Sequence, residues 1–309
     1  VKYWGKRDQG LNLPAAGSIS ITLADLETRT TVTPDPVLDR DRLILDGAEA
    51  SAGRVAAVLD LVRRRAGREV HCLVESRNNF PTGAGLASSA SGFAALVTAA
   101  TTALGLDVGP RDLSELARRG SGSAARSIFG GFVEMNAGER TDGHDAVAWP
   151  LLETASWPLE VVIAITDDSP KQVGSGDGMT HTMRTSPYYP AWIASVAGDL
   201  DRARSAIAGR DFDALADVAE CSALKMHASA LAARPGLIYW NGSTVECMHA
   251  VRSLRRAGTG VFFTVDAGPQ VKAVCLPGAS ERVAAELGSI AGVERVVISA
   301  LGDGAGLVS

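Results

Sequence analysis

The sequence predicts a two-domain protein of mixed α/β class. Strand-like and helix-like patterns alternate over the first half of the chain, whereas the second half has three long amphipathic helix candidates and then a strand–strand–helix–strand order. A break rich in Asp, Ser, Pro and Gly separates the halves at residues 166–176. We therefore place an N-terminal domain at residues 1–168 and a C-terminal α+β domain at residues 169–309.

The elements of the first half are read from the spacing of the apolar residues. Alternation with period 2, or a short β-branched run, predicts a strand, and apolar residues at helical spacing predict a helix. The predicted strands are residues 18–23, 27–34, 69–76, 132–135 and 159–166. The predicted helices are residues 52–65, a long helix after Gly85, residues 111–119 and a short helix start within 120–131.

The second half is dominated by helices. The three long candidates fall within residues 186–211, 213–233 and 242–258. The strands at 261–268 and 271–277 are joined by a turn at Gly268-Pro269, and a last helix leads to the strand VERVVISA. This order predicts a sheet covered by helices.

Composition excludes several classes of protein. The 309 residues are 46% hydrophobic and carry a net charge of −5 without basic blocks, so we expect no nucleic-acid interface. No apolar run approaches the roughly 20 residues of a membrane span, and no signal peptide is evident. The four cysteines lack metal-site spacing; Cys72, Cys221 and Cys275 have apolar neighbours and are predicted to be buried thiols of a cytoplasmic protein. The opening VKYWGK resembles the middle of a strand, so we expect a further strand before residue 1.

Two loops of small residues stand at helix starts, NNFPTGAGLASS at 78–89 and GSGSAARS at 120–127, and KQVGSGDGM at 171–179 is predicted as a third Gly/Ser turn. Bare backbone N–H groups and the helix dipole make such a start suitable for a phosphate. The structural alternative is that small residues permit close packing, with Ser as a cap. Three such loops in one chain favour a phosphorylated ligand.

Several charged residues are candidates for the same ligand. Arg126 lies among Gly and Ser, where its planar fork would suit a carboxylate or phosphate. Asp266 ends an apolar strand, where an acid is costly unless it is paired or used. Lys2 and Lys6 would share one face of a strand, with Trp4 opposite and in the core. The alternatives are a solvated arginine, a turn aspartate and a pair of edge lysines.

Taken together, the motifs resemble the diphosphomevalonate decarboxylases of the GHMP kinase superfamily. The blocks that carry the resemblance are VKYWGKRD with LNLP, NNFPTGAGLASSASGFAALV, GSGSAARSIFGGFVEMNAG, TSPYYPAW, LKMHA and FTVDAGPQVK, which span residue 1 to about residue 275 in this order. The resemblance implies a ribosomal-protein-S5-domain-2-like N-terminal domain and a ferredoxin-like C-terminal domain with the site between them. It also implies a homodimer.

The resemblance assigns the first loop to ATP. Gly83, Ala84, Gly85 and Leu86 would hold phosphate oxygens through their backbone N–H groups. Ser88 or Ser89 would contact phosphate or Mg²⁺, with Ser89 as the candidate metal ligand.

The implied reaction converts mevalonate 5-diphosphate and ATP to isopentenyl diphosphate, ADP, phosphate and CO₂. Asp266 matches the essential aspartate beside the 3-hydroxyl, Arg126 the arginine that holds the substrate carboxylate, and Lys2 a lysine that neutralises phosphoryl oxygens. The remaining matches are substrate contacts: Tyr3, Lys6 and Ser175 to the 5-phosphate groups, and Ser121, Gly122 and Ser123 in a loop around the substrate and the transferred phosphate.

The chain departs from the family pattern in two places. Ala16 and Gly17 stand where the family has Asn and Ser or Asp, and Gly174-Ser175-Gly176 replaces Ser-Ser-Arg. The missing arginine would cost about 2 kcal/mol of diphosphate binding unless another cation replaces it. Three alternatives remain. They are a decarboxylase of mevalonate 5-monophosphate or a related phosphorylated 3-hydroxy acid, a small-molecule kinase that stops at phosphorylation, and a silent nucleotide-binding relative.

Overall fold

The computed structural model describes residues 1–308, and its strands form four sheets. The strands are β1 (Lys6–Asp8), β2 (Leu13–Pro14), β3 (Ser18–Ile21), β4 (Thr28–Pro34), β5 (Arg42–Leu45), β6 (Ala48–Ala50), β7 (Cys72–Asn78), β8 (Phe132–Met135), β9 (Ala148–Leu152), β10 (Glu160–Ile165), β11 (Val261–Val265), β12 (Val271–Cys275) and β13 (Arg295–Ala300). The sheet orders are β1-β2, β3-β8-β9, β4-β7-β5-β6 and β11-β12-β10-β13. Pairing is antiparallel apart from the parallel pair β5 and β7.

Eight α-helices pack on these sheets within the described residues. They are α1 (Gly53–Ala66), α2 (Ser88–Ala103), α3 (Pro110–Gly120), α4 (Ser175–Thr185), α5 (Tyr189–Gly209), α6 (Phe212–Leu231), α7 (Gly242–Arg256) and α8 (Ser280–Gly288). Gly122–Ile128 and Thr154–Ser156 are 3₁₀ helices.

The sheet β4-β7-β5-β6 is covered by α1, α2 and α3. Val74 of β7 lies in one buried cluster with Val58 of α1, Val97 of α2 and Leu116 of α3. This core holds β7 against α2, so the loop that joins them has fixed ends.

The sheet of the C-terminal half is buried on both faces. In β10, Val161, Ile163 and Ile165 face the cluster that contains α5 and α6, whereas Val162 and Ala164 face α7 and α8. A strand covered on both sides has no polar face, which explains the continuous apolar run of residues 159–166.

Backbone hydrogen bonds at the end of β13 and just after it connect the two halves of the chain. Leu301 pairs with Leu23, Ala24 N donates to Ala300 O over 3.0 Å, and Gly131 N donates to Gly302 O over 3.0 Å. The C-terminal sheet already includes β10 from Glu160 onward, and the division at residue 168 remains a prediction.

The mixed α/β class and most predicted elements are confirmed; the strands β5, β6 and β9 were not predicted, and further differences follow. Residues 1–5 are not a regular strand, although Trp4 is buried as predicted. The small residues after Ser121 form a 3₁₀ helix. The segment 171–179, predicted as a turn, contains the start of α4, whose Gly-rich and polar sequence has low helix propensity. Cys221 is exposed, whereas Cys72 and Cys275 are buried as predicted; all four cysteines are free.

Candidate active site

A cavity of about 1610 Å³ opens between the two halves of the chain. Its walls include nearly all the site residues predicted from sequence: Lys2, Tyr3, Lys6, Gly83, Gly85, Leu86, Ser88, Ser89, Ser121, Gly122, Ser123, Arg126, Ser175 and Asp266. Ala84, the remaining predicted residue, is buried behind this wall. The fold therefore brings segments from residue 2 to residue 266 into one place.

The loop between β7 and α2 lines the cavity, and within it Gly83 N donates to Ser88 Oγ over 3.1 Å. Gly83 and Gly85 adopt φ of 79° and 89°, and Ala87 at the N-cap adopts φ of 60°, which is unusual for a residue with a side chain. The cap makes no side-chain hydrogen bond to α2, and the first turn has no acidic residue. The N–H groups at this helix start are therefore available to an anion.

Gly85 is in close contact with the turn that follows β11. A Cβ atom on Gly85 would lie 2.9 Å from the Cα atom of Gly268. Two side chains that follow this turn also bond to the loop: Gln270 Nε2 donates to Ala84 O over 3.0 Å, and Lys272 Nζ donates to Gly85 O over 2.9 Å. The turn after Asp266 and the phosphate loop therefore form one packed unit.

Asp266 lies between two lysines. Its carboxylate is 2.5 Å from Lys2 Nζ through one oxygen and 3.2 Å from Lys272 Nζ through the other. The Asp266 side chain is 46% exposed toward the cavity, whereas the lysine side chains are 12% and 10% exposed. Burial opposes ionisation, but the charges of Lys2 and Lys272 hold the pKa of Asp266 below its usual range.

Lys2 is itself in an unfavourable place for a charge. Its backbone N–H donates to Ser222 Oγ over 3.1 Å, which anchors the residue on α6. Burial lowers the pKa of the Lys2 amine, while Asp266 opposes this shift. Nearby His227 stays neutral because burial and the charge of Lys2 lower its pKa to about 3.

Arg126 is held by two hydroxyls and has no carboxylate partner within residues 1–308. Its Nε donates to Ser20 Oγ over 2.8 Å and one terminal nitrogen donates to Ser18 Oγ over 2.5 Å. Burial lowers the pKa of Arg126 to about 10, so it remains charged. A buried cation without an anion is costly, which favours an anionic ligand at this point.

Tyr3 lies beside Arg126. The guanidinium carbon of Arg126 is 6.0 Å from the centre of the Tyr3 ring. The Tyr3 hydroxyl is buried and has no hydrogen-bond partner within residues 1–308. A Cβ atom on Gly122 would lie 2.1 Å from this hydroxyl, so the position requires glycine.

Three serine hydroxyls connect the two small-residue loops. Ser89 Oγ is 3.2 Å from Ser121 Oγ, which is 3.5 Å from Ser123 Oγ. The start of α2 and the 3₁₀ helix thus face the cavity side by side.

Lys6 and Ser175 each form a side-chain hydrogen bond. Lys6 Nζ donates to Asn12 Oδ1 over 2.5 Å, and Ser175, the first residue of α4, accepts from Lys171 Nζ over 2.8 Å. Lys171 also donates to Ala267 O over 2.8 Å, next to Asp266. Sequence reasoning missed Lys171, although it is the cation of the small-residue segment 171–179.

Two arginines on the cavity wall were also missed. The guanidinium carbon of Arg54, on α1, lies 4.8 Å from the centre of the Phe93 ring, and Arg119 lies in the last turn of α3. Neither forms an ion pair within residues 1–308. Arg54 and Lys6 line the same cavity, and burial and the charge of Arg54 lower the pKa of Lys6. No local pattern distinguishes them from surface arginines.

Gly176 leaves room where the family has an arginine. A Cβ atom at this position would meet nothing within 4 Å. The absence of a cation is therefore not imposed by packing.

Comparisons with known proteins agree with this geometry. The family described as diphosphomevalonate decarboxylase-like N-terminal domain matches residues 1–148, and the mevalonate 5-diphosphate decarboxylase C-terminal domain matches residues 161–298. The chain is 39% identical to human diphosphomevalonate decarboxylase over 292 residues, which cover 87% of this chain and 72% of the human protein.

Two solved structures are similar over nearly the whole chain. A structure of MDDEF in complex with MVAPP, AMPPCP and magnesium has a TM-score of 0.90 and 39% identity, covering 98% of this chain and 93% of the other. Mevalonate diphosphate decarboxylase from Staphylococcus aureus has a TM-score of 0.91 and 37% identity, covering 98% and 92%.

Substitution of Gly85 and of Gly92 by alanine should change the free energy of unfolding in opposite directions, because Gly85 contacts Gly268 and Gly92 has open space around it. Gly85→Ala introduces a side chain at positive φ and against backbone, so we expect it to lower the free energy of unfolding by about 2 kcal/mol. Gly92→Ala, within α2 and with open space around it, should raise it by about 0.5–1 kcal/mol. Urea denaturation measures both, and a Gly85→Ala protein as stable as the unsubstituted chain contradicts the expectation.

Proposed function

The chain belongs to the diphosphomevalonate decarboxylase family, and we propose that it catalyses the ATP-dependent decarboxylation of mevalonate 5-diphosphate to isopentenyl diphosphate, with ADP, phosphate and CO₂ as the other products. The observation that carries the proposal is the position of Asp266. It lies between Lys2 and Lys272 at the cavity that Arg126 and the phosphate loop also line.

The first chemical step makes a leaving group. The tertiary 3-hydroxyl of the substrate leaves poorly, so its oxygen attacks the γ-phosphorus of ATP, and ADP departs. We propose that Lys2 neutralises the phosphoryl oxygens in this transfer. Asp266 would lie beside the hydroxyl, whose proton passes either to this carboxylate or to an oxygen of the transferred phosphoryl group.

The second step breaks the C–O bond to the new phosphate and the C–C bond to the carboxylate. The electrons of the C–C bond form the alkene, and CO₂ leaves. Positive charge develops at C3, and a carboxylate whose pKa is held low remains ionised to stabilise it. A low pKa makes Asp266 a weak base, which favours this electrostatic role.

Binding is assigned to the other residues of the cavity. We propose that Arg126 holds the substrate carboxylate, that Tyr3, Lys6 and Ser175 bind the 5-phosphate groups, and that Ser121, Gly122 and Ser123 surround the transferred phosphate. The orphaned hydroxyl of Tyr3 and the unpaired guanidinium of Arg126 support this arrangement, because each lacks a partner that an anion supplies.

ATP is assigned to the loop before α2. Gly83, Ala84, Gly85 and Leu86 would hold phosphate oxygens through backbone N–H groups, with Ser88 and Ser89 beside them. Within residues 1–308, no group of three or more His, Cys, Asp or Glu side chains is placed to hold a metal ion. Mg²⁺ in nucleotide sites takes many of its ligands from the phosphates. We therefore propose that the nucleotide phosphates bind Mg²⁺ and that Ser89 is a protein ligand. When bound, Mg²⁺ neutralises phosphate charge.

Three further properties are proposals of ours. We propose domains at residues 1–168 and 169–309, a homodimer and a cytoplasmic location. The four free cysteines are consistent with a reducing compartment. No helix within residues 1–308 has the length and apolarity needed to span a membrane.

One observation favours a second candidate substrate, mevalonate 5-monophosphate. Gly174 and Gly176 offer no cation for a terminal phosphate. Arg54 and Arg119, which lack acidic partners, would replace the missing charge in our main proposal.

An assay with both substrates tests the function. With ATP and Mg²⁺, we expect equal amounts of ADP and CO₂ from the diphosphate and much slower turnover of the monophosphate. Asp266→Asn should lower kcat by about 10³-fold or more, whereas Asp303→Asn, also at the cavity, should not. Faster turnover of the monophosphate would support the second candidate substrate. Formation of ADP without CO₂ would show that the protein is a kinase and not a decarboxylase.

The pH dependence should report Lys2. Because burial lowers its pKa, Lys2 loses its charge at a pH below the usual value of a lysine, and kcat/KM should fall as the pH rises through that lowered pKa. Lys2→Arg keeps its charge and should move this alkaline limb to higher pH. Lys6→Arg is the control, since the pKa of Lys6 is also lowered; a limb that moves with Lys6 rather than Lys2 contradicts the assignment.

Arg54 should discriminate between the two substrates. If it binds the terminal phosphate, Arg54→Met should raise the KM of the diphosphate by about tenfold and leave that of the monophosphate nearly unchanged. Arg29→Met, an exposed arginine on the same cavity paired with Glu27, is the matched control. An equal rise in KM for both substrates would contradict the assignment of Arg54 to the terminal phosphate.

A further inference from the structure

Two buried side chains of the C-terminal half hold the carbonyl groups of the phosphate loop. Gln270 Nε2 donates to Ala84 O over 3.0 Å, and Lys272 Nζ donates to Gly85 O over 2.9 Å. Gln270 is fully buried and Lys272 nearly so. Both contacts are between residues more than 180 positions apart, so no local sequence pattern indicates them.

These bonds determine the direction of the neighbouring amides. In a planar trans peptide, the C=O of one residue and the N–H of the next point in opposite directions. With the carbonyls of Ala84 and Gly85 directed to the β11–β12 turn, the N–H groups of Gly85 and Leu86 point away from it. Gly85 and Leu86 line the cavity, whereas Ala84 does not.

The orientation of the Gln270 amide is itself fixed. Its Oε1 accepts from Thr166 N over 2.8 Å, so Nε2 is the end that donates to Ala84 O, and it donates to Asp167 O as well. All its hydrogen-bonding groups have protein partners. Gln270 is therefore committed to holding the loop and is not free to bind a ligand.

Lys272 connects the loop to Asp266. Its ammonium has three protons, and three acceptors surround it: Gly85 O, Gln270 O over 3.4 Å and Asp266 over 3.2 Å. One cation thus contacts both the phosphate loop and the carboxylate to which we assign the chemistry. A displacement of either changes the position of the other.

We propose that Gln270 and Lys272 are positioning residues: they orient the Gly85 and Leu86 amides toward the nucleotide phosphates, and Lys272 couples that loop to Asp266. The coupling to Asp266 rests on the proposed function. The orientation of the loop does not, because it follows from the peptide geometry and the two buried donors.

Hydrogen–deuterium exchange tests the loop without any turnover. Lys272→Met and Gln270→Met remove the donors and keep unbranched side chains of similar length. We expect backbone amides within residues 80–90 to exchange about tenfold faster in both variants. Arg252→Met is the control, because it removes a partly exposed cation, paired with the buried Glu220, from the same half of the chain and away from the cavity. Unchanged exchange in the first two variants, or equal acceleration in all three, overturns the proposal.

Binding and kinetics separate positioning from general stability. The Kd of AMPPCP with Mg²⁺ should rise about tenfold in Lys272→Met, while the Kd of mevalonate 5-diphosphate measured without nucleotide stays within about twofold. Lys272→Arg, which retains donors and charge, should recover most of the affinity. An AMPPCP Kd within about twofold of that of the unsubstituted chain overturns the proposal.

The two proposals fail in different ways. An unsubstituted protein that does not turn over mevalonate 5-diphosphate defeats the proposed function. The exchange pattern and AMPPCP binding then still decide whether Gln270 and Lys272 hold the loop.

Discussion

The arrangement of the site depends on one shared carboxylate. Asp266 accepts from Lys2, in the opening segment, and from Lys272, which lies on β12. A carboxylate paired with one lysine would leave the second ammonium without a counter-charge in a largely dry place, which is costly. The group of Lys2, Asp266 and Lys272 therefore fixes the positions of the opening segment, the β11–β12 turn and the phosphate loop relative to one another.

The remaining cations of the cavity have a different status. Lys6, Arg54, Arg119, Arg126 and Lys171 line it without an acidic partner within residues 1–308. Their mutual repulsion and partial burial disfavour the ligand-free protein, and an anionic ligand removes this cost. Affinity for a multiply charged phosphate ester is thus supplied partly by relief of unfavourable interactions already present in the fold.

Much of the fold was predictable because its signals are local. Alternation in 27–34 and helical spacing in 52–65 each identify one element, and β10 is recognised by its unbroken apolar run. The start of α4 was missed because Gly and polar residues form its first turn, and only Gly178, Met179 and Thr182 are buried. Arg126, Asp266, Lys2 and Lys6 were candidates from their own sequence context, whereas the other site residues came from a resemblance. Their convergence on one cavity required the fold. Lys272 was not predicted, because its role depends on partners distant in sequence.

The segment after β13 has a consequence for how the chain unfolds. Leu301 pairs with Leu23, and Gly302 O accepts from Gly131 N. One buried cluster also contains Trp4 and Phe132 of the first half together with Met226 and Phe262 of the second. Each half also has a buried cluster of its own, but this one is shared, so melting of one half exposes apolar surface of the other. A destabilising change at the shared cluster is therefore expected to weaken both halves.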